Sequence, residues 1–172
     1  MKQTLVILRG PAASGKTTIC EKVRSYDRKI AWLSVDKFKA IFSDFEDRTL
    51  DDANKATIAE LKYLLNEGFS VILDGIFKNT DYVYLAIEIA MGKNIPVVVY
   101  ELKCSLKSLK ERDKSRPGVK QGYRKPLGDE VIESLFNKIE NNPINGAIEL
   151  DTEHQSIDKC IEIINTVFNK SS

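Results

Sequence analysis

Eight residues near the amino end, Gly10-Pro11-Ala12-Ala13-Ser14-Gly15-Lys16-Thr17, have the types and spacing needed to hold a chain of phosphates. They fit G-x-x-x-x-G-K-[ST], with an apolar run, Leu5 to Leu8, before them and an amphipathic segment, Thr18 to Val23, after them. Gly10 and Gly15 accept backbone angles that a side chain would forbid. Successive N–H groups of Ala12, Ala13, Ser14, Gly15, Lys16, Thr17 and Thr18 can therefore turn inward on an anion. The same donors lie at the positive end of the following helix. Lys16 can then reach the β- and γ-phosphates, and Thr17 can offer a hydroxyl to Mg²⁺. The plainer alternative is a Gly-rich turn that joins a strand to a helix.

Phosphoryl chemistry needs carboxylates and cations around such a cradle, and three places in the chain can supply them. Asp36 follows the apolar run Ile30 to Val35 and is the candidate base, able to take a hydroxyl proton from an acceptor and aim its oxygen. Its alternative role is to cap a helix beginning at Lys37. Asp74 closes Val71-Ile72-Leu73, an apolar run ending in a carboxylate, the form of a Walker B strand whose Asp binds Mg²⁺ directly or through water. Turn chemistry at Asp74-Gly75 would explain it too. Arg112 and Arg116 border a Gly/Pro-containing loop, with Arg124 and Lys125 at its far end. An Arg on a loop that closes over a nucleotide counters charge on the transferred group.

These residues require a scaffold. Apolar runs at Leu5 to Leu8, Ile30 to Val35, Phe69 to Leu73, Ile95 to Leu102 and Ala147 to Leu150 predict five strands. Between them fall helical patterns over Lys16 to Ser25, a short one from Phe38 to Phe42, and Asp52 to Glu67 with Gly68 as its cap. Further helices are expected from Tyr82 to Ala90, Ser105 to Lys114, from an N-cap at Asp129, and from Ser156 onward. Ser43 to Asp52 reads as an acidic exposed excursion and Ser115 to Pro126 as a loop. Strands alternating with helices make βαβ units and a parallel sheet. In such a sheet ligands sit beyond the carboxyl ends of the strands, which is where Gly10 to Thr17, Asp36 and Asp74 would meet.

The 172 residues are expected to form a single domain, with a lid at about 112–126. A net charge of +1 argues against a protein made chiefly to hold duplex nucleic acid. Charge is unevenly spread, with nine Lys/Arg against two Asp/Glu between Lys103 and Lys125, and six Asp/Glu against two Lys/Arg from Asp44 to Glu60. Cys20, Cys104 and Cys160 form no paired framework, as expected of a reducing, cytoplasmic setting. The first apolar run is too short for a signal peptide, and no stretch reaches the length of a membrane span. His154 is the single His and cannot make a metal site by itself.

From Thr4 to about Asn142 the chain resembles a small P-loop kinase of the group containing zeta toxins, chloramphenicol phosphotransferase and the kinase domain of polynucleotide kinases. The resemblance rests on Leu8-Arg9-Gly10 to Lys16-Thr17, Trp32-Leu33-Ser34-Val35-Asp36, Val71-Ile72-Leu73-Asp74-Gly75 and Glu111-Arg112-Asp113-Lys114-Ser115-Arg116-Pro117. It implies an α/β P-loop NTPase three-layer sandwich, a parallel five-stranded sheet of order 2-3-1-4-5 with helices on both faces. It also implies ATP as donor, Mg²⁺ as cofactor, a small-molecule alcohol as acceptor, Asp36 as base, and Arg112 and Arg116 as lid cations. The acceptor should lie between Asp36, the helix after it and the acidic excursion, a region that also holds Lys37, Lys39 and Arg48.

Two other functions compete. A 5′-hydroxyl polynucleotide kinase would need a basic groove leading to Asp36, and the near-neutral charge counts against nucleic acid as partner. A nucleotide-dependent switch that reads guanine would carry N-K-x-D. Asn54-Lys55, Asn137-Lys138 and Asn169-Lys170 all lack the Asp.

Overall fold

The computed structural model describes residues 3–42, 47–116 and 125–169. Among them the order is β1 (Leu5–Arg9), α1 (Lys16–Arg24), β2 (Ile30–Ser34), α2 (Val35–Lys39), α3 (Asp47–Asn66), β3 (Ser70–Gly75), α4 (Asp81–Met91), β4 (Val97–Lys103), α5 (Leu106–Lys114), α6 (Asp129–Glu140), β5 (Ile148–Asp151) and α7 (Ile157–Asn169). All strand pairs are parallel and the sheet order is β2-β3-β1-β4-β5. That is the expected P-loop NTPase sandwich.

The central strand shows why the apolar runs are unbroken. Every residue of β1 is buried, and successive side chains alternate between faces. Leu5 and Ile7 join the core made with α3 and α4, which includes Leu61, Leu65, Val83 and Ala86. Val6 and Leu8 join the opposite core with Ile19, Cys20 and Val23 of α1 and Cys160, Ile164 and Phe168 of α7. Each fully buried Leu or Ile contributes about 1.5–3 kcal/mol of transfer free energy. A third cluster, Ala12, Cys104, Leu109, Ile132 and Leu135, packs α5 and α6 against the Gly10–Thr17 loop and Ile76.

Several boundaries differ from the sequence expectation, each for a local reason. Strand β2 stops at Ser34, and α2 starts at Val35 rather than near Phe38. Ser34, extended at φ −126° and ψ 121°, is the N-cap, so Asp36 lies inside the first turn and does not cap a helix starting at Lys37. Helix α3 begins at Asp47, which converts half of the expected acidic excursion into helix. Thr49 is buried and Leu50 packs on the core, which draws the start of the helix onto it. Residues 43–46 of that excursion lie outside the described residues. The N-cap of α6 is Gly128, at φ 92°, with Asp129 the first helical residue. Of the lid, residues 117–124, with Arg124, lie outside the described residues.

A buried charge fixes the turn after β3. Arg9 is fully buried, its Nη1 pairs with Glu101 on the neighbouring β4, and its Nε donates to the Phe77 carbonyl at 3.3 Å. Glu101 also accepts from the Ile144 N–H at 3.2 Å. Phe77 takes a left-handed backbone at φ 46°, and its ring covers Gly75, where a Cβ would come within 2.7 Å. No helix of the described residues is long and apolar enough to cross a membrane.

Candidate active site

The register assembles the site. Leu8 pairs with Asp74, and Ser34 pairs with the same Asp74 from the other side, so the carboxyl ends of β1, β3 and β2 lie in one row. Gly10 follows Leu8 by two residues and Asp36 follows Ser34 by two, which brings the loop and both carboxylates to one edge.

Within the loop the two glycines act for different physical reasons. Gly15 is the N-cap of α1 with φ 95°, a left-handed conformation that suits Gly. Gly10 does not have a positive φ, contrary to the expectation that both glycines serve backbone angle. Its requirement is space, since a Cβ there would stand 2.9 Å from Ser14 Oγ and 3.0 Å from Leu102 Cβ. Ala13, at φ 66°, carries a left-handed turn without being Gly.

Lys16 is 7% exposed and its Nζ donates to the Gly10 carbonyl at 2.8 Å and the Pro11 carbonyl at 2.7 Å. Burial lowers its pKa, opposed by Asp74 and then Asp36, while Arg116 adds to the lowering. Four sequence candidates, Lys16, Asp36, Asp74 and Arg116, thus share one electrostatic neighbourhood. Thr17 and Thr18 are exposed on the first turn of α1.

Asp74 is 2% exposed, and burial raises its carboxyl above the usual range. Trp32 resists that rise most, its Nε1–H donating to Oδ1 at 2.7 Å, followed by the charge of Lys16 and a hydrogen bond with Ser34. The Lys37 ammonium stands 3.4 Å from the Trp32 ring centroid, and the Arg24 guanidinium 5.7 Å. Trp32 and Ser34 were absent from the residues expected to work in the site. Their signal is present in the sequence, because side chains two apart on a strand share a face.

Arg112 and Arg116, expected as lid cations, are placed differently. Arg116 Nε lies 3.1 Å from Asp113 Oδ1, in a pair whose carboxylate is buried. The other oxygen of Asp113 accepts from the N–H groups of Leu127 at 2.7 Å and Gly128 at 3.0 Å, so one carboxylate ties the end of α5 to the residues that lead into α6. Arg112 Nη2 donates to the Thr152 carbonyl at 2.6 Å, on the loop after β5. In that loop Asp151 accepts from the Glu153 and His154 N–H groups and from the His154 ring, which holds its pKa near about 2. Among the described residues no group of three or more His, Cys, Asp or Glu could hold a metal.

A glycine-rich loop, its buried lysine and a strand-end Asp on a 2-3-1-4-5 parallel sheet define a P-loop NTPase fold. The chain belongs to the AAA_33 family, described as an AAA domain, which matches residues 5–140. A comparison with curated proteins by sequence gives no match. Among solved structures, the chain is similar to a sugar kinase from Janibacter sp. HTCC2649 (TM-score 0.70, 19% identity, covering 97% of this chain and 95% of that one). It is also similar to the tunicamycin resistance protein of Deinococcus radiodurans (TM-score 0.68, 13% identity, 97% and 96%). A third is the APS kinase CysC of Mycobacterium tuberculosis in complex with AMPPNP and APS (TM-score 0.66, 15% identity, 98% of each chain).

Proposed function

We propose that the protein is an ATP-dependent phosphotransferase that moves the γ-phosphate to a hydroxyl of a small-molecule acceptor. The observation that carries this reading is the register of Leu8 and Ser34 on Asp74, which brings the loop holding Lys16 to the same sheet edge as Asp74 and Asp36. In the reaction Asp36 takes the proton of the acceptor hydroxyl while that oxygen bonds to the γ-phosphorus. The bond from phosphorus to the β,γ-bridging oxygen breaks and ADP leaves with the electron pair. N–H groups of Ala12 to Thr18 and the Lys16 ammonium hold the phosphate oxygens as charge shifts toward the leaving group. Arg116, held by Asp113, and Arg112, near the end of α5, are the cations assigned to the transferred group.

The donor set fits Mg²⁺, which prefers hard oxygen ligands. The exposed Thr17 hydroxyl and the Asp74 carboxylate would hold it, Asp74 through water because one of its oxygens is engaged by Trp32. When bound, the ion neutralises phosphate charge. The similar sugar kinase and APS kinase support a small-molecule acceptor.

The test is ADP release across a panel of alcohols. Acceptor-dependent release that disappears in Asp36→Asn, with ATP binding retained, is expected, and the loss should be about two to four orders of magnitude. Full-rate transfer by Asp36→Asn would overturn the assignment of the base. Transfer of label from ATP to oligonucleotide 5′-hydroxyl ends would redirect it to nucleic acid.

A further inference from the structure

The phosphotransferase reading leaves unused a groove of about 660 Å³ between the turn that leads into α4 and one face of α6. The residues that line it are polar by type, and their side-chain stems form much of its wall. Helix α6 supplies Ser134, Asn137, Lys138 and Asn141, a stripe at helical spacing opposite the buried stripe of Ile132, Leu135 and Ile139. Lys78 faces them from the turn after β3, together with Asn142 at the end of α6. Among the described residues no carboxylate lines the groove.

The charges around it explain why the two lysines are available. Three of the four carboxylates on α6 are matched elsewhere, Glu133 to Lys110 at 2.7 Å, Glu140 to Lys103 at 2.7 Å and Asp129 to Lys114 at 3.0 Å. Lys78 and Lys138 take part in no ion pair among the described residues. Two ammonium groups, four side-chain amides, that of Asn79 among them, and a hydroxyl then surround one cavity, a donor-rich set suited to a compact tetrahedral anion. The volume is that of a small-ligand site. Lys78 follows Asp74 by four residues, at most about 14 Å along the chain, so one elongated molecule can span both. The turn between them is the one fixed by Arg9 and Phe77.

We propose that this groove is an anion subsite that takes a phosphate monoester carried by the acceptor, while the acceptor's hydroxyl lies at Asp36. The proposal rests on the phosphotransferase reading for the reaction and on the groove alone for the anion. The first experiment is a ¹H–¹⁵N NMR titration of the full chain with inorganic phosphate, the nucleotide site being saturated with AMPPNP and Mg²⁺. Saturable shifts at Lys78, Asn137, Lys138 and Asn141 are expected, weakened about tenfold or more in Lys78→Met/Lys138→Met, whose exposed or half-buried changes leave the fold intact by circular dichroism. Shifts that never saturate, that KCl at equal ionic strength reproduces, or that the double variant retains would overturn the subsite.

The second experiment compares alcohols with and without a phosphate monoester as acceptors. The phosphorylated member should work at lower concentration, and the double variant should lose that preference. A preference that survives the variant, or favours the uncharged member, overturns the link to the acceptor. Calorimetry with ATP and Mg²⁺ separates the two readings. Absent heat there removes phosphotransfer, while the phosphate titration, repeated without nucleotide, still decides the groove.

Discussion

Trp32→Phe isolates the contact that holds the buried carboxylate at the site. The change keeps most of the ring and removes one donor, the Nε1–H that meets Asp74 Oδ1 at 2.7 Å. A hydrogen bond to a charged group contributes about 1.5–3 kcal/mol, so about 2 kcal/mol of stability should be lost. For a domain of 172 residues that is a fall in Tm of about 4–8 °C. In an Asp74→Asn background the acceptor is neutral and the same change should cost only about 1 kcal/mol, leaving a coupling of about 1 kcal/mol.

The pH dependence has a definite sign. Asp74 has a folded-state pKa raised above 3.8, so its contribution is most favourable below that value and is lost as pH rises through the folded pKa. Trp32 limits that rise. The penalty of Trp32→Phe is therefore largest above the folded pKa of Asp74 and shrinks as pH falls through it. Urea unfolding followed by circular dichroism gives all four corners of the cycle, because the variant lacks the sole Trp and its fluorescence. Equal penalties in both backgrounds, unchanged by pH, would refute the coupling.

Three further variants test separate parts. Gly10→Ala should cost about 1–3 kcal/mol and weaken ATP binding together, since its Cβ would press on Ser14 and Leu102; calorimetry showing normal affinity would contradict this. Asp113→Asn should destabilise by about 3 kcal/mol and raise the KM for ATP, as the carboxylate that joins Arg116 to Leu127 and Gly128 loses its charge; thermal unfolding and kinetics measure both. The His154 ring should titrate above 6.5 by NMR, because Asp151 bonds it, and return to the ordinary range in Asp151→Asn. That contact's support for the loop after β5 is fully present below 6.5 and fades as pH rises through the folded midpoint, whereas Asp151's own contribution fades as pH falls to about 2.

The sheet was legible because its strands are covered on both faces and read as unbroken apolar runs, from Leu5–Leu8 to Val71–Leu73. The meeting of the phosphate loop, Asp36 and Asp74 followed from topology alone, since parallel strands place their carboxyl ends together. What escaped depended on side-chain reach. Residue spacing puts Trp32 and Ser34 on one strand face, but it does not say that Trp32 bonds Asp74, that Asp113 ties α5 to Leu127 and Gly128, or that Arg112 turns to Thr152. Helix starts were missed where tertiary burial outweighed local polarity, as at Asp47, whose turn is held by buried Thr49 and Leu50. The Asp129 cap was misplaced by one residue because Gly128 takes a left-handed φ of 92°.

Burial acts in opposite senses on the two charges nearest the loop, lowering the pKa of Lys16 and raising that of Asp74, and each charge partly restores the other. Lys16 therefore has a structural as well as a chemical role. Replacing it by Ala removes the donor to two buried carbonyls and leaves Asp74 without its cation. Lost activity in Lys16→Ala would mix those effects with the loss of phosphate contact. Asp36 is half-buried in the first turn of a short helix, and Asp36→Asn preserves shape there. The chemical reading therefore stands or falls on Asp36, where a rate can change without the loop changing.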